Sequence, residues 1–308
     1  MSKVKDVLVF FSFRKHKTDY YNKALLGPLR ARQGEYGLCL HQGSLKDLHI
    51  EIINNELCVT ESMTGKTLDQ FDLTYFELWL KSPQQALAAA TYLERRKLPF
   101  IGHETLNVLC STKIGEMVKM SDSGIPLPRT FMSSSRETIR VFKRNNPPLT
   151  YPFIAKAADA YGGHMNYLVK SYDELKTALN EHKEQFFVLQ EFIPNDCDYR
   201  VLVMGGEIQF VLQRARKDDS VHLNNTSAGA EGKLVPIEML PEHVLSDVKK
   251  AAELTLRSDF AGVDVLIDKN TGQHYILEVN EAPAIQMGTE PDKKIAIFLR
   301  RLAEIAGE

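Results

Sequence analysis

The strongest constraint in the sequence is a pair of apolar runs near the C-terminus, separated by a short polar reversal. The first run, Gly262 to Ile267, contains Asp264 between two valines, and the second, His274 to Asn280, ends in Glu278-Val279-Asn280. Two such runs predict a largely buried β-hairpin. Carboxylates are costly in that setting unless they bind a metal or a cation, so the polar residues of this hairpin require a chemical explanation.

The register of the hairpin decides which polar side chains meet. Side chains alternate across a strand, so Glu278 and Asn280 project from the same face. A reversal of five residues, Asp268 to Gly272, places Asp264 on that face as well, whereas a reversal of four would place it on the other. Three oxygen ligands facing a cleft suit Mg²⁺, which completes its octahedron with water and phosphate oxygens. The sequence therefore predicts a magnesium site.

Cations and glycines suited to phosphate binding precede this hairpin. Lys113 begins a predicted helix, and Lys156 ends an apolar strand just before Gly162 and Gly163. Glycines allow backbone amides to approach phosphate oxygens closely. The alternative is that both lysines are solvated surface residues and that the glycine pair is only a turn.

A predicted strand from Val188 to Ile193 joins the two halves of the chain. Its backbone could pair with the edge of an adenine while Phe192 and Ile193 pack on the base, and its central residues are Gln190 and Glu191. An ordinary buried strand would show the same pattern.

Two sets of arginines follow on a second predicted hairpin. Asp198 and Arg200 share one face of a strand, and Arg214 and Arg216 share a face of its partner. A tight turn at Gly205-Gly206 would place the two sets on opposite faces, so either a bulge rotates them or they serve different layers. Guanidinium groups suit developing phosphate or acyl-phosphate charge; surface pairing with nearby aspartates is the alternative.

The pattern of elements divides the chain into three parts, residues 1–110, 111–188 and 189–308. The first alternates strands with an amphipathic segment, a hairpin (Leu48 to Ser62) and an Ala-rich helix after Ser82-Pro83, which is typical of an α/β unit. Hairpins dominate the other two parts. The fold class is therefore α/β, in the broader α+β sense.

Charge and cysteine content restrict the classes of partner and the cellular compartment that we expect for this protein. The 308 residues carry 38 basic and 40 acidic side chains, which gives no overall signature of nucleic acid or membrane binding and favours small-molecule partners. The cysteines form no metal or redox motif and favour a reducing, cytoplasmic setting. The run from Val7 to Phe13 predicts a buried strand rather than a signal peptide. No run is long enough to span a bilayer.

The order of these features resembles the ATP-grasp superfamily, and within it the RimK-like carboxylate-amine (amino-acid) ligases. The resemblance extends from about Ile101 to the C-terminus, and the first hundred residues fit the α/β domain that precedes the grasp in that family. The segments that carry it are Lys113, Lys156, the glycine loop, Gln190 to Ile193, Asp198-Tyr199-Arg200, Arg214-Ala215-Arg216, Asn225 with Gly229, Ala261 to Asp264, and Glu278-Val279-Asn280.

The resemblance implies an ATP-grasp fold, in which two hairpin-rich subdomains clasp ATP, and a role for each matching residue. The residues that would contact the nucleotide are Lys113, Lys156, Gly162, Gly163, Gln190, Glu191, Phe192, Ile193, Asp198 and Asn225, with Asn224 as the alternative to Asn225. Asp264, Glu278 and Asn280 would hold two Mg²⁺ ions, or Mn²⁺, with Glu278 bridging. Arg200 and Arg216 would act at the acyl-phosphate region.

The implied activity is ATP-dependent formation of an amide or peptide bond through an acyl phosphate. The carboxylate and amine substrates would be small molecules or a peptide or protein terminus, and a homo-oligomer is compatible with the family. A phosphotransferase and a non-catalytic nucleotide-binding module are the alternatives. One departure is that relatives commonly have Asn-x-x-Pro-Gly after the metal strand, whereas this chain has Asn280-Glu281-Ala282-Pro283-Ala284.

Overall fold

The computed structural model describes residues 3–12, 22–107, 112–158, 164–182, 185–215, 231–283, 285–286 and 288–307. Strands in this part of the chain are β1 (Lys5–Phe11), β2 (Leu38–Ser44), β3 (Leu48–Ile53), β4 (Glu56–Glu61), β5 (Lys66–Thr67), β6 (Leu73–Leu78), β7 (Phe100–Ile101), β8 (Thr130–Ser133), β9 (Phe153–Ala157), β10 (Asn166–Val169), β11 (Phe187–Glu191), β12 (Cys197–Met204), β13 (Glu207–Ala215), β14 (Glu231–Val235), β15 (Phe260–Ile267) and β16 (His274–Asn280). The α-helices are α1 (Gly27–Arg32), α2 (Pro83–Arg96), α3 (Lys113–Met120), α4 (Ser135–Phe142), α5 (Tyr172–Glu181), α6 (Glu242–Leu254) and α7 (Pro291–Ile305). None of these helices is long and apolar enough to cross a membrane.

The N-terminal part is built on a parallel sheet of order β2-β1-β6-β7. The central strand β1 is apolar on both faces, as expected where helices cover a parallel sheet on both sides. Helix α2 begins with proline in its first turn after Ser82, as its sequence predicts. The predicted hairpin is present as β3 and β4, which form a separate small sheet with β5.

A second sheet, antiparallel and of order β10-β9-β11-β8, follows in the chain. Strand β9 carries Lys156 and β11 carries Gln190 and Glu191, so two predicted nucleotide-binding segments lie on neighbouring strands. The boundary predicted at residue 188 falls inside β11, because this strand pairs with β8 and β9 rather than with the next sheet.

The third sheet is antiparallel, of order β14-β13-β12-β15-β16, and its two faces differ in chemistry. One face buries valines of β12 and β15 against α3 and α6. The opposite face carries charged residues and then, further along β12, Leu202 and Met204, which join a core shared with α7 and the N-terminal sheet. The charged face therefore lies next to the N-terminal part of the protein.

Candidate active site

A bulge in β12–β13 brings the arginines to one face. The glycine turn pairs Met204 with Glu207, but the register shifts between Leu202 and Val203. Beyond this bulge Asp198 lies directly opposite Arg214. Of the two arrangements left open by the sequence, the bulge is the one observed for Arg214, because an extra residue reverses the face of everything beyond it.

A second bulge sets the face of Asp264. The reversal between Ile267 and His274 contains six residues, 268–273, so the predicted five-residue reversal is wrong. Six residues alone would place Asp264 opposite Leu277, on the far face from Glu278. A register shift between Asp264 and Val265 restores the expected arrangement, and Asp264 lies directly opposite Glu278.

The second bulge completes a row of charges across three neighbouring strands. Arg200 on β12 pairs with Asp264 on β15, which pairs with Glu278 on β16. We call Arg200, Asp264 and Glu278 the charged row. Asn280 projects from the same face two residues beyond Glu278 and lies opposite Gly262.

Gly262 leaves the space that this arrangement needs. A Cβ atom there would lie 2.6 Å from Pro283 Cβ and 3.3 Å from Arg200 Cδ. The Gly262 carbonyl accepts a hydrogen bond from the Asn280 side-chain nitrogen at 3.2 Å. Since this bond fixes the amide, Asn280 Oδ1 is left as a potential ligand.

Asp264 is held by two arginines in the buried centre of the row. Arg200 donates to both carboxylate oxygens, at 2.7 and 2.8 Å, and Arg214 Nη2 lies 3.0 Å from Oδ2. Arg214 Nε also donates to Asp198 at 2.6 Å. Burial alone would raise the pKa of Asp264, but the two guanidinium groups hold it well below its usual range. Asp264 therefore carries a permanent negative charge.

Glu278 differs from Asp264 in its surroundings. No described residue donates a hydrogen bond to its carboxylate, although Lys156 and Arg200 both lie within its electrostatic range. Burial lowers the pKa of Lys156, while Glu278 acts in the opposite direction and Lys113 acts with burial. Lys113 follows Thr112, whose hydroxyl caps α3 by accepting from the Gly115 N–H at 3.0 Å. Both predicted phosphate-binding lysines therefore belong to the same electrostatic site as Glu278.

The predicted adenine segment makes local contacts of its own. Gln190 is buried and donates to Thr130 Oγ1 at 3.2 Å. The Glu191 side chain accepts from the Arg129 N–H at 2.8 Å, and the Ile193 carbonyl accepts from the Asn195 side chain at 2.8 Å. Phe192 is half-buried directly after β11.

Several predicted residues lie outside the described part of the chain, and one group in the structure was not predicted. The former are Gly162, Gly163, Arg216, Asn224 and Asn225. The latter is the buried pair of Glu116 and Arg257, whose guanidinium lies 2.6 Å from the carboxylate. They are 141 residues apart in the chain, so no local pattern could have related them.

Buried carboxylates make the stability of this protein depend on pH. Burial raises the pKa of Glu77 to about 7, of Glu116 to about 7 and of Glu281 to about 8. Each folded-state pKa exceeds its unfolded value, so the folded protein holds more protons, and the stability present below pH 4.5 is lost as pH rises through the folded pKa. We expect the free energy of unfolding to fall between pH 5.5 and pH 8.5, by up to about 1.4 kcal/mol per pH unit for each group. The melting temperature should fall over the same range.

The substitution Glu77→Gln removes one of these contributions and leaves the others in place. The pKa of His103, beside Asp259, is also raised, so the stability of the variant should still fall with pH, but less steeply. Thermal unfolding of both proteins across the pH range should give a shallower slope for the variant. Equal slopes, or a melting temperature that rises with pH in the wild type, would contradict the assignment.

Residues 109–304 match the family model of the RimK-like ATP-grasp domain. The match covers well over half of the chain, and the chain belongs to this family. The match confirms the resemblance to RimK-like ATP-grasp enzymes that the order of the sequence motifs indicates.

Individual relatives agree with this assignment. The chain is 26% identical over 210 residues to the alpha-aminoadipate–LysW ligase LysX of Sulfurisphaera tokodaii, covering 66% of this chain and 70% of the relative. Among solved structures, a RiPP-associated ATP-grasp ligase of Chryseobacterium gregarium, in complex with ADP and a leader and core peptide, aligns with a TM-score of 0.64 at 13% identity over 96% of both chains. The ATP-grasp ligase PsnB, complexed with minimal precursor, Mg and ADP, aligns with a TM-score of 0.65 at 15% identity over 99% of both chains.

These likenesses confirm the predicted fold class, an ATP-grasp fold of mixed α/β architecture. The protein is an ATP-dependent carboxylate-amine ligase of the RimK-like family.

Proposed function

We propose that the charged row is the centre at which a substrate carboxylate is phosphorylated by ATP and then condensed with an amine. The observation that carries this proposal is the pairing of Arg200, Asp264 and Glu278 across three adjacent strands, which the bulge between Asp264 and Val265 completes. Charged partners arranged around a buried carboxylate, Asp264, are expected where charge develops during a reaction.

The nucleotide would bind between the second and third sheets. Lys113 and Lys156 would neutralise its phosphates, since both act electrostatically on the same site as Glu278. The segment of Gln190, Glu191, Phe192 and Ile193 would receive the adenine, with Asp198 further along the same face of the site. By the family resemblance, Gly162, Gly163 and Asn225 would complete the phosphate site.

The donor set on β15 and β16 fits magnesium. Two carboxylates and one amide oxygen on a single face are hard oxygen ligands of the kind that Mg²⁺ takes. Asp264 already accepts from Arg200 and Arg214, so it would offer the ion its remaining lone pair. Asp264, Glu278 and Asn280 would hold the two ions. The metal would supply neutralisation of phosphate charge.

The chain's own residues would act on the substrates by position and charge. A carboxylate oxygen attacks the γ-phosphorus and ADP leaves. The amine nitrogen then attacks the acyl carbon, phosphate leaves with the carboxylate oxygen, and the proton lost by the amine passes to the phosphate. Arg200 would stabilise the oxyanion formed in the second step, while its two bonds to Asp264 keep the guanidinium in a fixed orientation. Arg216 would assist at the same place, by the family resemblance.

The substrates we propose are an amino acid or peptide carboxylate and an amine of the same chemical class, as small molecules or as a chain terminus. The named relative and the peptide-bound structural neighbours support this class. We also propose a cytoplasmic setting, in which the described cysteines Cys39, Cys58 and Cys197 remain free thiols as they are in the structure. We also propose three chain parts, one built around each large sheet, with β11 assigned to the second.

A trapping experiment tests this function. Incubation with MgATP, a pool of amino acids and acidic peptides, and hydroxylamine should yield hydroxamates together with ADP and phosphate, because hydroxylamine intercepts an acyl phosphate. A stable phosphorylated product without hydroxamate would indicate a phosphotransferase instead. ATP binding without turnover on any pool would favour a nucleotide-binding module and contradict the ligase mechanism.

A further inference from the structure

The metal strand, residues 278–280, lies at the edge of its sheet. Among the described strands β16 pairs with β15 alone, so one side of its backbone lacks a neighbouring strand. Val279 sits between Glu278 and Asn280, and two side chains satisfy its outward backbone groups. Glu116 Oε2 accepts a hydrogen bond from the Val279 N–H at 3.1 Å, and Arg257 Nη1 donates to the Val279 carbonyl.

These two side chains also bond to each other. Arg257 Nη1 lies 2.6 Å from Glu116 Oε1, and both side chains are almost fully buried. A carboxylate that accepts from an N–H and a guanidinium that donates to the C=O of the same residue reproduce the pair of bonds that an adjacent antiparallel strand would make. Charge-assisted bonds of this kind are stronger than the backbone bonds they replace.

The pair connects the metal strand to other parts of the proposed site. Glu116 lies three residues after Lys113 on α3, so the helix that carries a proposed phosphate ligand is bonded to the metal strand. Glu281 Oε2 lies 3.5 Å from Arg257 Nη2. Glu281, the first residue after the metal strand, therefore also lies beside Arg257.

We infer that Glu116 and Arg257 are positioning residues that fix the metal strand, acting through the Val279 backbone on the orientation of the Glu278 and Asn280 side chains. The inference rests on the proposed metal role of Glu278 and Asn280. Because side chains alternate along a strand, any rotation of the Val279 peptide groups turns both proposed ligands away from the site together. Groups that orient metal ligands typically contribute about 10- to 100-fold to metal affinity when removed.

Binding of the ATP analogue AMPPNP gives a readout that a purely structural role would not change. Its dissociation constant is measured by calorimetry with excess Mn²⁺ and again with EDTA. The constant in EDTA divided by the constant in Mn²⁺ is a ratio that reports how strongly the metal is coupled to nucleotide binding. The variant Glu116→Leu/Arg257→Met removes both charges of the pair, so neither of the two is left buried without the other. We expect the ratio to fall about 10- to 100-fold, with the EDTA value unchanged.

Two further variants make the result specific. Asp247→Asn disturbs the contact of Asp247 with His274, 2.9 Å apart at the far end of β16, and should leave the ratio unchanged. Arg257→Lys keeps the charge and an ammonium group that can donate to Glu116 and to Val279, and should retain most of the coupling lost in the double variant. If the double variant does not fold, Glu116→Gln replaces it: the amide nitrogen takes the place of one of the two accepting oxygens, so the bond to Arg257 or to Val279 is lost and the ratio should still fall.

An unchanged ratio in the double variant, or in Glu116→Gln if that is the one measured, would overturn the inference. Glu278→Gln, measured in parallel, separates this failure from failure of the proposed metal site. A ratio that falls in Glu278→Gln but not in the positioning variants rejects the positioning role alone. A ratio that stays unchanged in Glu278→Gln rejects the metal role itself.

Discussion

Replacement of Glu278 by glutamine should slow ATP-dependent ligation about a thousandfold while leaving the fold intact. Glutamine keeps the size of the side chain but removes the carboxylate to which no described residue donates a hydrogen bond and which faces Lys156 and Arg200. Loss of phosphate-charge neutralisation is worth several kcal/mol in the transition state, so we expect about a thousandfold lower kcat, equivalent to about 4 kcal/mol. Steady-state release of ADP measures it.

The matched control is Glu207→Gln. Glu207 lies on the same sheet but is exposed, at the glycine turn, and pairs with Lys249. Its replacement should leave kcat and the melting temperature close to those of the wild type. Wild-type turnover in Glu278→Gln would contradict the role given to the charged row, whereas a collapse of the melting temperature in that variant would show that Glu278 is structural.

Replacement of Arg214 by methionine should cause the largest loss of stability. Arg214 is buried and lies between two carboxylates, Asp198 at 2.6 Å and Asp264 at 3.0 Å. Its removal leaves buried negative charge without its shared cation, which costs about 3–5 kcal/mol. Denaturant unfolding at neutral pH measures the loss.

Two comparisons test the physical cause. Arg140→Met breaks an exposed ion pair with Glu137, and such pairs contribute only about 0–1 kcal/mol. Asp198→Leu combined with Arg214→Met removes one carboxylate together with the cation, and should recover part of the stability. A loss below about 1 kcal/mol in Arg214→Met would mean that the protein hydrates or protonates these carboxylates readily.

Local chemistry made much of the fold predictable. Strand β16 and helix α2 have the bounds that apolar period and proline placement predict, because each depends on short-range pattern alone. The strands β2 and β6 were not predicted: they carry a histidine, a glutamine or a glutamate among apolar residues, and their burial comes from the sheet that they enter.

The site was less predictable because its geometry depends on two bulges. A bulge moves every following residue to the other face, and its position is set by packing across the sheet rather than by the residues that flank it. Asp264 lies on the expected face because a six-residue reversal is compensated by the bulge between Asp264 and Val265. Arg214 lies on the same face as Arg200 because of the bulge in β12–β13. Residue types were therefore a better guide to this site than register.

The most direct test of the central claim follows a labelled oxygen. With the acid that gives the largest hydroxamate yield, labelled with ¹⁸O in its carboxylate, and with its amine partner, turnover should place one ¹⁸O atom in the released phosphate, because the acyl phosphate breaks at the acyl carbon. Mass spectrometry of the phosphate detects it. Phosphate without ¹⁸O, released in step with amide formation, would contradict carboxylate phosphorylation at the charged row.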